Sequence, residues 1–300
     1  MKITCSILCY NYGRYLERAI ESCLNQEQGD YELEVLVIDD GSTDDTPEIC
    51  KKYQNRIRVL RSQNQGFGAS LDKAVREALG DYVCLLDADD YFSSNKILAL
   101  LPWIKSGYLY IENKNYFVNS DDQALDSHVH GGGNTSTLCL NRIAALSLLP
   151  VLNEVFFHPL ESADNGVKID DALTFYRVHS SSMIRSKSPH IWYIHLAEVT
   201  HNLANKLFEM SEKSPPNWTT SKELRKISKD YQAVAYYNEM EAALQLGQRI
   251  KTLSICVKIF LAAISSKNGI KNWHFKVIAR GLLAKPMYDK YHQCTSDDFG

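Results

Sequence analysis

Apolar and polar positions follow two alternating rhythms along the first ninety or so residues. Residues 3–9 form a short, mainly apolar run, as a strand covered on both faces requires. Residues 14–25 then carry Leu16, Ile20, Cys23 and Leu24 at helical spacing, and residues 34–38 return as a strand. The pairing repeats twice more. A helix over 46–53 has Pro47 at its first position and precedes a strand at 57–60. A helix over 67–79 precedes a strand at 82–86. Strands alternating with helices in this way predict an α/β fold, a parallel sheet covered by helices.

The pattern loosens afterwards. A Leu-rich helix is expected over 94–105, then two short strands at 108–111 and 116–118, read as a hairpin. Residues 121–137 are polar and hold His128, His130 and the glycines at 131–133, which reads as a mobile loop near a ligand. A strand at 138–140, a helix over 141–149, a helix-like run from Glu154 and strand-like residues 167–178 follow. After about Ser186, residues 192–209, 222–246 and 252–264 show helical periodicity, with a proline-containing linker at 211–221. These form a helical C-terminal module.

Composition narrows the class. At 45% hydrophobic and 23% charged, 300 residues make a globular chain with one large domain and room for a smaller one. A formal charge of −3 and a pI near 6.3 argue against nucleic acid as a partner, because phosphate neutralisation needs clustered Lys and Arg. The eight cysteines are scattered with no CxxC pair, so they read as reduced, mostly buried thiols. With a strand from Ile3 and no leader ahead of it, the expected location is the cytoplasm, extending to the inner face of the membrane. Residues 253–264 are interrupted by Lys258 and fall short of the ~20 residues of a spanning helix.

Ligands of open α/β sheets bind beyond the carboxyl ends of the strands. Two of those ends are carboxylate clusters, Asp39-Asp40-Gly41-Ser42 and Asp87-Ala88-Asp89-Asp90. Adjacent carboxylates repel unless a cation or hydrogen-bond donors compensate them. Mg²⁺ and Mn²⁺ prefer oxygen, and Mg²⁺ commonly binds one or two carboxylates plus substrate phosphates, so a cation shared with a diphosphate fits. Asp39 is assigned to a ligand, and Ser42 or Thr43 to turn and capping.

The strings SILCYNYGRYLERAIESCLNQ, EVLVIDDGSTDDT, NQGFGASLDKAVREALGDYVCLLDADD and LTFYRVHSSSM, in that order, resemble the family 2 glycosyltransferases over residues 3–182. The resemblance implies the GT-A fold, a Rossmann-like mixed sheet flanked by helices. Residues 1–185 would form the catalytic domain, with the nucleotide sugar on 1–92 and the acceptor side on 93–185, and 186–300 the helical module. It implies an inverting transfer from a nucleotide-diphosphate sugar, usually a UDP-sugar, with a bridging divalent cation. Such an enzyme would serve cell-surface polysaccharide or glycoconjugate synthesis on a carbohydrate or lipid-linked acceptor.

By motif, Tyr10, Asn11, Asp39, Asn64, Gly66 and Lys73 would approach the nucleotide sugar. Asp87, Ala88 and Asp89 correspond to the DxD element, with Asp90 sharing the metal. His179, in the Tyr176-Arg177-Val178-His179 string, is a further metal ligand, and Arg177 a possible contact for the diphosphate. The family commonly carries Glu-Asp at the start of a helix, the Asp being the base. Laid over it, Asn153-Glu154 makes Glu154 the base, favoured by the aromatic Phe156-Phe157. Laid as Glu154-Val155, it leaves valine there and a silent relative that binds nucleotide sugar or a partner. A dehydrogenase reading fails because residues 9–16 contain no GxGxxG.

One pattern lies outside the resemblance. Lys267, Lys271, Lys276, Arg280 and Lys285 interleave with Ile270, Trp273, Phe275, Val277, Ile278, Leu282 and Leu283. A basic amphipathic stretch of this kind packs on its own domain or lies on anionic lipid. Peripheral membrane contact through residues 250–300 and self-association are therefore partner expectations.

Overall fold

The alternation in the first ninety residues builds the core of a mixed sheet. In the computed structural model, described for residues 1–179, 189–267, 269–270, 274 and 276–278, the chain divides into two compact units, residues 1–180 and 181–300. The first opens with strand β1 (Lys2–Cys9), helix α1 (Gly13–Leu24), β2 (Glu32–Asp39), α2 (Thr46–Lys52), β3 (Arg58–Arg61), α3 (Phe67–Glu77) and β4 (Tyr82–Asp87). It continues with β5 (Tyr91–Phe92), α4 (Lys96–Lys105), β6 (Tyr110–Val118), β7 (Leu138–Asn141), α5 (Arg142–Leu146) and β8 (Gly166–Arg177). The eight strands lie in the order β3-β2-β1-β4-β7-β6-β8-β5.

Strand direction decides what meets at the sheet edge. β1, β2, β3 and β4 pair in parallel, β7 runs antiparallel to β4 and to β6, and β8 runs parallel to β6. Six of the eight strands therefore point the same way, with β7 and β5 reversed. The carboxyl ends of β1, β2, β4 and β8 consequently open on one edge, and residues some ninety positions apart in sequence become neighbours there.

Burial follows the period-2 rule. Ile3, Cys5, Ile7, Val35 and Val37 face Leu16, Ile20 and Cys23 of α1 and Ile97, Leu100 and Ile104 of α4 in one cluster. Leu36, Ile38 and Leu85 point to the other face, and α3 brings Leu71, Ala74 and Val75. Seven cysteines, Cys5, Cys9, Cys23, Cys50, Cys84, Cys139 and Cys256, are free and buried, as expected of structural thiols; Cys294 lies outside the described residues.

Two local expectations are corrected. Residues 110–118 form one strand and not a hairpin, because the polar interruption is satisfied inside the sheet. Tyr110 Oη–H donates to Glu112 (2.6 Å), Asn113 Nδ2–H to Thr174 Oγ1 (3.0 Å) and Asn115 Nδ2–H to the Gly131 carbonyl (2.8 Å), where the register with β8 shifts. The run from Glu154 is only a short 3-10 turn, Glu154–Phe157, capped when the Asn153 side chain accepts the Val155 N–H (3.1 Å). The polar stretch 121–137 bridges back to β6 at Asn115/His130 and Val118/Ala124. It ends in buried Thr135–Thr137, and His130 stacks on Phe117 at 3.8 Å.

The second unit holds α6 (Pro189–Lys213), α7 (Ser221–Gln245) and α8 (Arg249–Ile264), with α7 packed on both others. Residues 180–188 and most of the basic run past 267, including Lys271, Trp273, Phe275, Arg280, Leu282, Leu283 and Lys285, lie outside the described residues. The expected boundary at 185/186 falls there as well.

Candidate functional site

The sheet edge gathers four carboxylates and a histidine. β1 ends between its neighbours, with Leu8 paired to Asp87 of β4 and Cys9 to Asp39 of β2. Beyond Asp87 the chain turns, Ala88 N–H donating to Leu8 O (3.0 Å) and Asp90 N–H to Asp87 O (3.0 Å). His179, just past β8, is buried, and its Nε2 lies 2.9 Å from Asp89 Oδ2. Tyr12 and Tyr15 close around the imidazole at 5.7 and 5.3 Å between ring centres. Its Nδ1 is buried with no hydrogen-bond partner among the described residues.

Asp90 plays another part from Asp89. Its Oδ1 accepts the Arg177 backbone N–H (2.8 Å) and its Oδ2 the Ser136 hydroxyl (2.6 Å). Ser136 Oγ also accepts the Asp87 N–H (3.0 Å), so one serine spans the turn. Beneath it, buried Lys96 donates to the Ser136 carbonyl (2.8 Å) and to Thr174 Oγ1 (3.0 Å). Arg177, expected at a diphosphate, is buried and consumed internally. Its guanidinium donates to the carbonyls of Asp89 (2.7 Å), Asn119 (2.9 Å) and Ser120 (3.1 Å) and pairs with Asp122. It anchors the acidic turn with four of its five N–H groups.

Burial, with the charges of Asp89, Asp90 and Glu154 beside it, pushes the Asp87 carboxyl well above its usual range. Burial and Asp89 also raise Asp90, against the opposing pull of Ser136 and Arg177. Burial raises Glu154. Burial, then Asp89 and Asp87, push the Tyr12 phenol up to about 12. The Glu154 charge is the smallest of the causes that raise Asp87. The segment carrying Glu154 is fixed by Asp72, which accepts the Val151 N–H (2.9 Å), and by buried Phe156 and Phe157. Such crowded negative charge wants a cation.

The donor set bears on which cation. Among the described residues, no three His, Cys, Asp or Glu side chains are arranged to hold a metal on their own. That suits an Mg²⁺-type ion, which draws most of its ligands from water and phosphate. Each Asp90 oxygen accepts one hydrogen bond, from the Arg177 backbone N–H and from Ser136, so Asp90 serves the turn. The Asp89 oxygen that His179 leaves open and the neighbouring Asp87 carboxylate fit such an ion as oxygen ligands, while His179 Nε2 holds Asp89 in place.

The other expected residues surround this edge. Tyr10 and Asn11 are exposed after β1, with Asn11 at φ 59°. Asn11 N–H donates to Ser42 Oγ (2.9 Å) and its side chain accepts the Thr43 N–H (2.8 Å), locking the two strand-end loops together. Asp39 is buried; it accepts the Ser42 N–H (2.8 Å) and lies 3.3 Å from Arg61 Nε. Asp39 thus shares the turn with Ser42 and Thr43. Asn64 is exposed, Gly66 begins α3 at φ 89°, and the Lys73 ammonium is bonded to Ser62 Oγ. Asp40 holds this loop by accepting the N–H groups of Gln65 (2.9 Å) and Gly66 (2.8 Å).

Ser136, Lys96 and Thr174 escaped the sequence reading, as did the bonds by which Asp40 holds the Gln65–Gly66 loop. Lys96 carried a signal, since it falls on the apolar stripe of α4 with Leu100 and Ile104. Ser136 carried none, sitting in a polar run whose partner is 46 residues away.

A family model described as "Glycosyl transferase family 2" matches residues 4–154. An uncharacterized glycosyltransferase of Nostoc is 39% identical over 131 residues, 42% of this chain and 40% of that protein. The chain spans between 22% and 40% of the length of the first curated relatives it matches. Among solved structures, S. aureus TarS 1–349 in complex with UDP-GlcNAc superposes with a TM-score of 0.59 at 15% identity, covering 98% of this chain and 92% of that one. The mannosyltransferase PcManGT of Pyrobaculum calidifontis, in complex with GDP-Man and Mn²⁺, gives 0.51 at 16% identity, covering 96% and 82%. The GT-A fold, a mixed sheet flanked by helices and followed by a helical region, is thereby shown.

Proposed function

The chain belongs to glycosyl transferase family 2, and from that premise we propose that it transfers one sugar, with inversion, from a nucleotide-diphosphate sugar to an acceptor hydroxyl. The donor in this reading is a UDP-sugar and the product a cell-surface polysaccharide or glycoconjugate. What carries the reading is the edge where Asp87, Asp89 and His179 converge with the charge of Glu154 close by.

The donor lies along the loops after β1, β2 and α3's entry, with Tyr10, Asn11, Asp39, Asn64, Gly66 and Lys73 around the nucleotide. Asp89, positioned by the His179 imidazole and flanked by Asp87 and Asp90, would hold a divalent cation, Mn²⁺ or Mg²⁺. Once bound, that ion offsets the charge developing on the leaving diphosphate. Asp90 and Arg177 keep the acidic turn in place through the bonds described above. Glu154 accepts the acceptor hydroxyl proton as the oxygen attacks the anomeric carbon, and the bond to the nucleotide diphosphate breaks on the opposite face. Its raised carboxyl suits a base that gains a proton in the transition state.

Melting the protein with a panel of UDP- and GDP-sugars, with and without Mn²⁺, tests this directly. A donor at ~100 times its dissociation constant adds ~2.7 kcal/mol to native stability. The expected result is a rise that needs both sugar nucleotide and Mn²⁺ and is absent in Asp89→Asn. A rise of equal size in Asp89→Asn would overturn the metal assignment, and none with any donor would overturn the donor site.

A further inference from the structure

The second unit carries an apolar surface open to solvent. α8 buries Thr252, Ile255, Cys256, Ile259, Ala262 and Ala263, and α7 covers this face with Met240 and Ala243. The opposite face is apolar too. Ile250, Leu253, Val257, Phe260, Leu261 and Ile264 recur at helical spacing and stay open, from 39% exposed at Phe260 to 86% at Ile250. A row of large apolar side chains on one exposed helix face marks a docking surface.

Charge selects the occupant. Lys251 and Lys258, one heptad apart, flank the row and are exposed. Between Glu241 and Asp289 the sequence has eight Lys and Arg and no Asp or Glu, in a chain whose formal charge is −3. A second copy fits poorly. A 16-residue helix is ~24 Å long. One such seam buries several hundred Å², on the order of half or less of the ~1,200 Å² of a stable interface. It would also set lysine against lysine. Spanning is excluded for α8, since no helix among the described residues is long and apolar enough to cross a membrane.

We propose that the open face of α8 docks on an anionic lipid surface, its apolar row entering the headgroup boundary and Lys251 and Lys258 pairing with lipid phosphates. The inference stands apart from the catalytic reading, because it rests on a different unit of the chain.

Co-sedimentation of the full chain with vesicles tests it, using phosphatidylcholine alone or with added phosphatidylglycerol, at low and high salt. The wild type is expected to pellet with the anionic vesicles and to be released by salt. Lys251→Glu with Lys258→Glu weakens binding roughly fivefold or more per lysine. Leu253→Asp, Val257→Asp and Leu261→Asp together abolish it, while circular dichroism melts stay as in the wild type. Wild-type protein left in the supernatant with both vesicles overturns the proposal. So does unchanged pelleting of the lysine pair, with circular dichroism melts checking that loss of the Lys258 contact with the Tyr236 ring, 5.3 Å to its centre, leaves the fold intact, or a sedimentation-velocity dimer that the apolar triple dissolves without any vesicle binding.

Discussion

Ser136 shows how much of the acidic site depends on one neutral side chain. Its hydroxyl donates to Asp90 and accepts from the Asp87 N–H, so Ser136→Ala leaves a buried carboxylate oxygen and a backbone donor unmatched. The expected loss is ~1–3 kcal/mol, read as a lower urea midpoint at unchanged slope; a midpoint within error of the wild type would show that the bridge contributes nothing. His158 provides the pH dependence. Burial, with the Lys168 charge, pulls its imidazole down to about 4, below the ~6.5 of a free histidine. As pH falls, the unfolded chain binds this proton first. Stability present above ~6.5 is therefore lost on the way to about 4, by ~3 kcal/mol. Melts at pH ~7 and ~5 should separate less in His158→Gln than in the wild type, whereas equal separation would assign the loss to other groups. At this scale the sequence was informative where chemistry is concentrated at a strand end. Asp87 and Asp89 stood out because an apolar run stops at them, whereas Ser136 and Thr174 acquire meaning only when β7 and β8 arrive beside β4.

At the scale of elements, the site is made by loops that hold one another. Gly41 sits at φ 80° with its absent Cβ 2.7 Å from the Asn64 nitrogen, so the β2 and β3 loops close only around glycine. Gly66 has φ 89° and ψ 170° with open space around it. Gly66→Ala therefore costs conformational energy without a clash, ~1–3 kcal/mol, measurable by thermal melts. A neutral alanine would mean that the loop readily takes another path. The helices and parallel strands were legible because their periods are strong and local. β6 was not, since Glu112, Asn113 and Asn115 look like a break until their partners from β8 and the 130–131 segment are present. The Glu154 run misled in the other direction: four residues of turn share the apolar spacing of a helix, and only the Asn153 cap and the burial of Phe156 and Phe157 define its length.

For the whole molecule, six co-directional strands bring β1, β2, β4 and β8 to one edge. The acidic turn is then pinned by residues from both ends of the first unit. The order of the motifs along the chain already implied this family. The part of Asp90 and Arg177 in holding the turn, and the bond from His179 to Asp89, were not implied. The central claim is that this edge performs transfer with Glu154 as the base. The most direct measurement is release of nucleotide diphosphate from a bound donor, with acceptor sugars and Mn²⁺ present, in wild type and Glu154→Gln. The account predicts donor binding unchanged in the variant and turnover lower by ~10²–10⁴-fold. Turnover in Glu154→Gln equal to the wild type would contradict it, as would a wild type that binds donor with Mn²⁺ and turns over none.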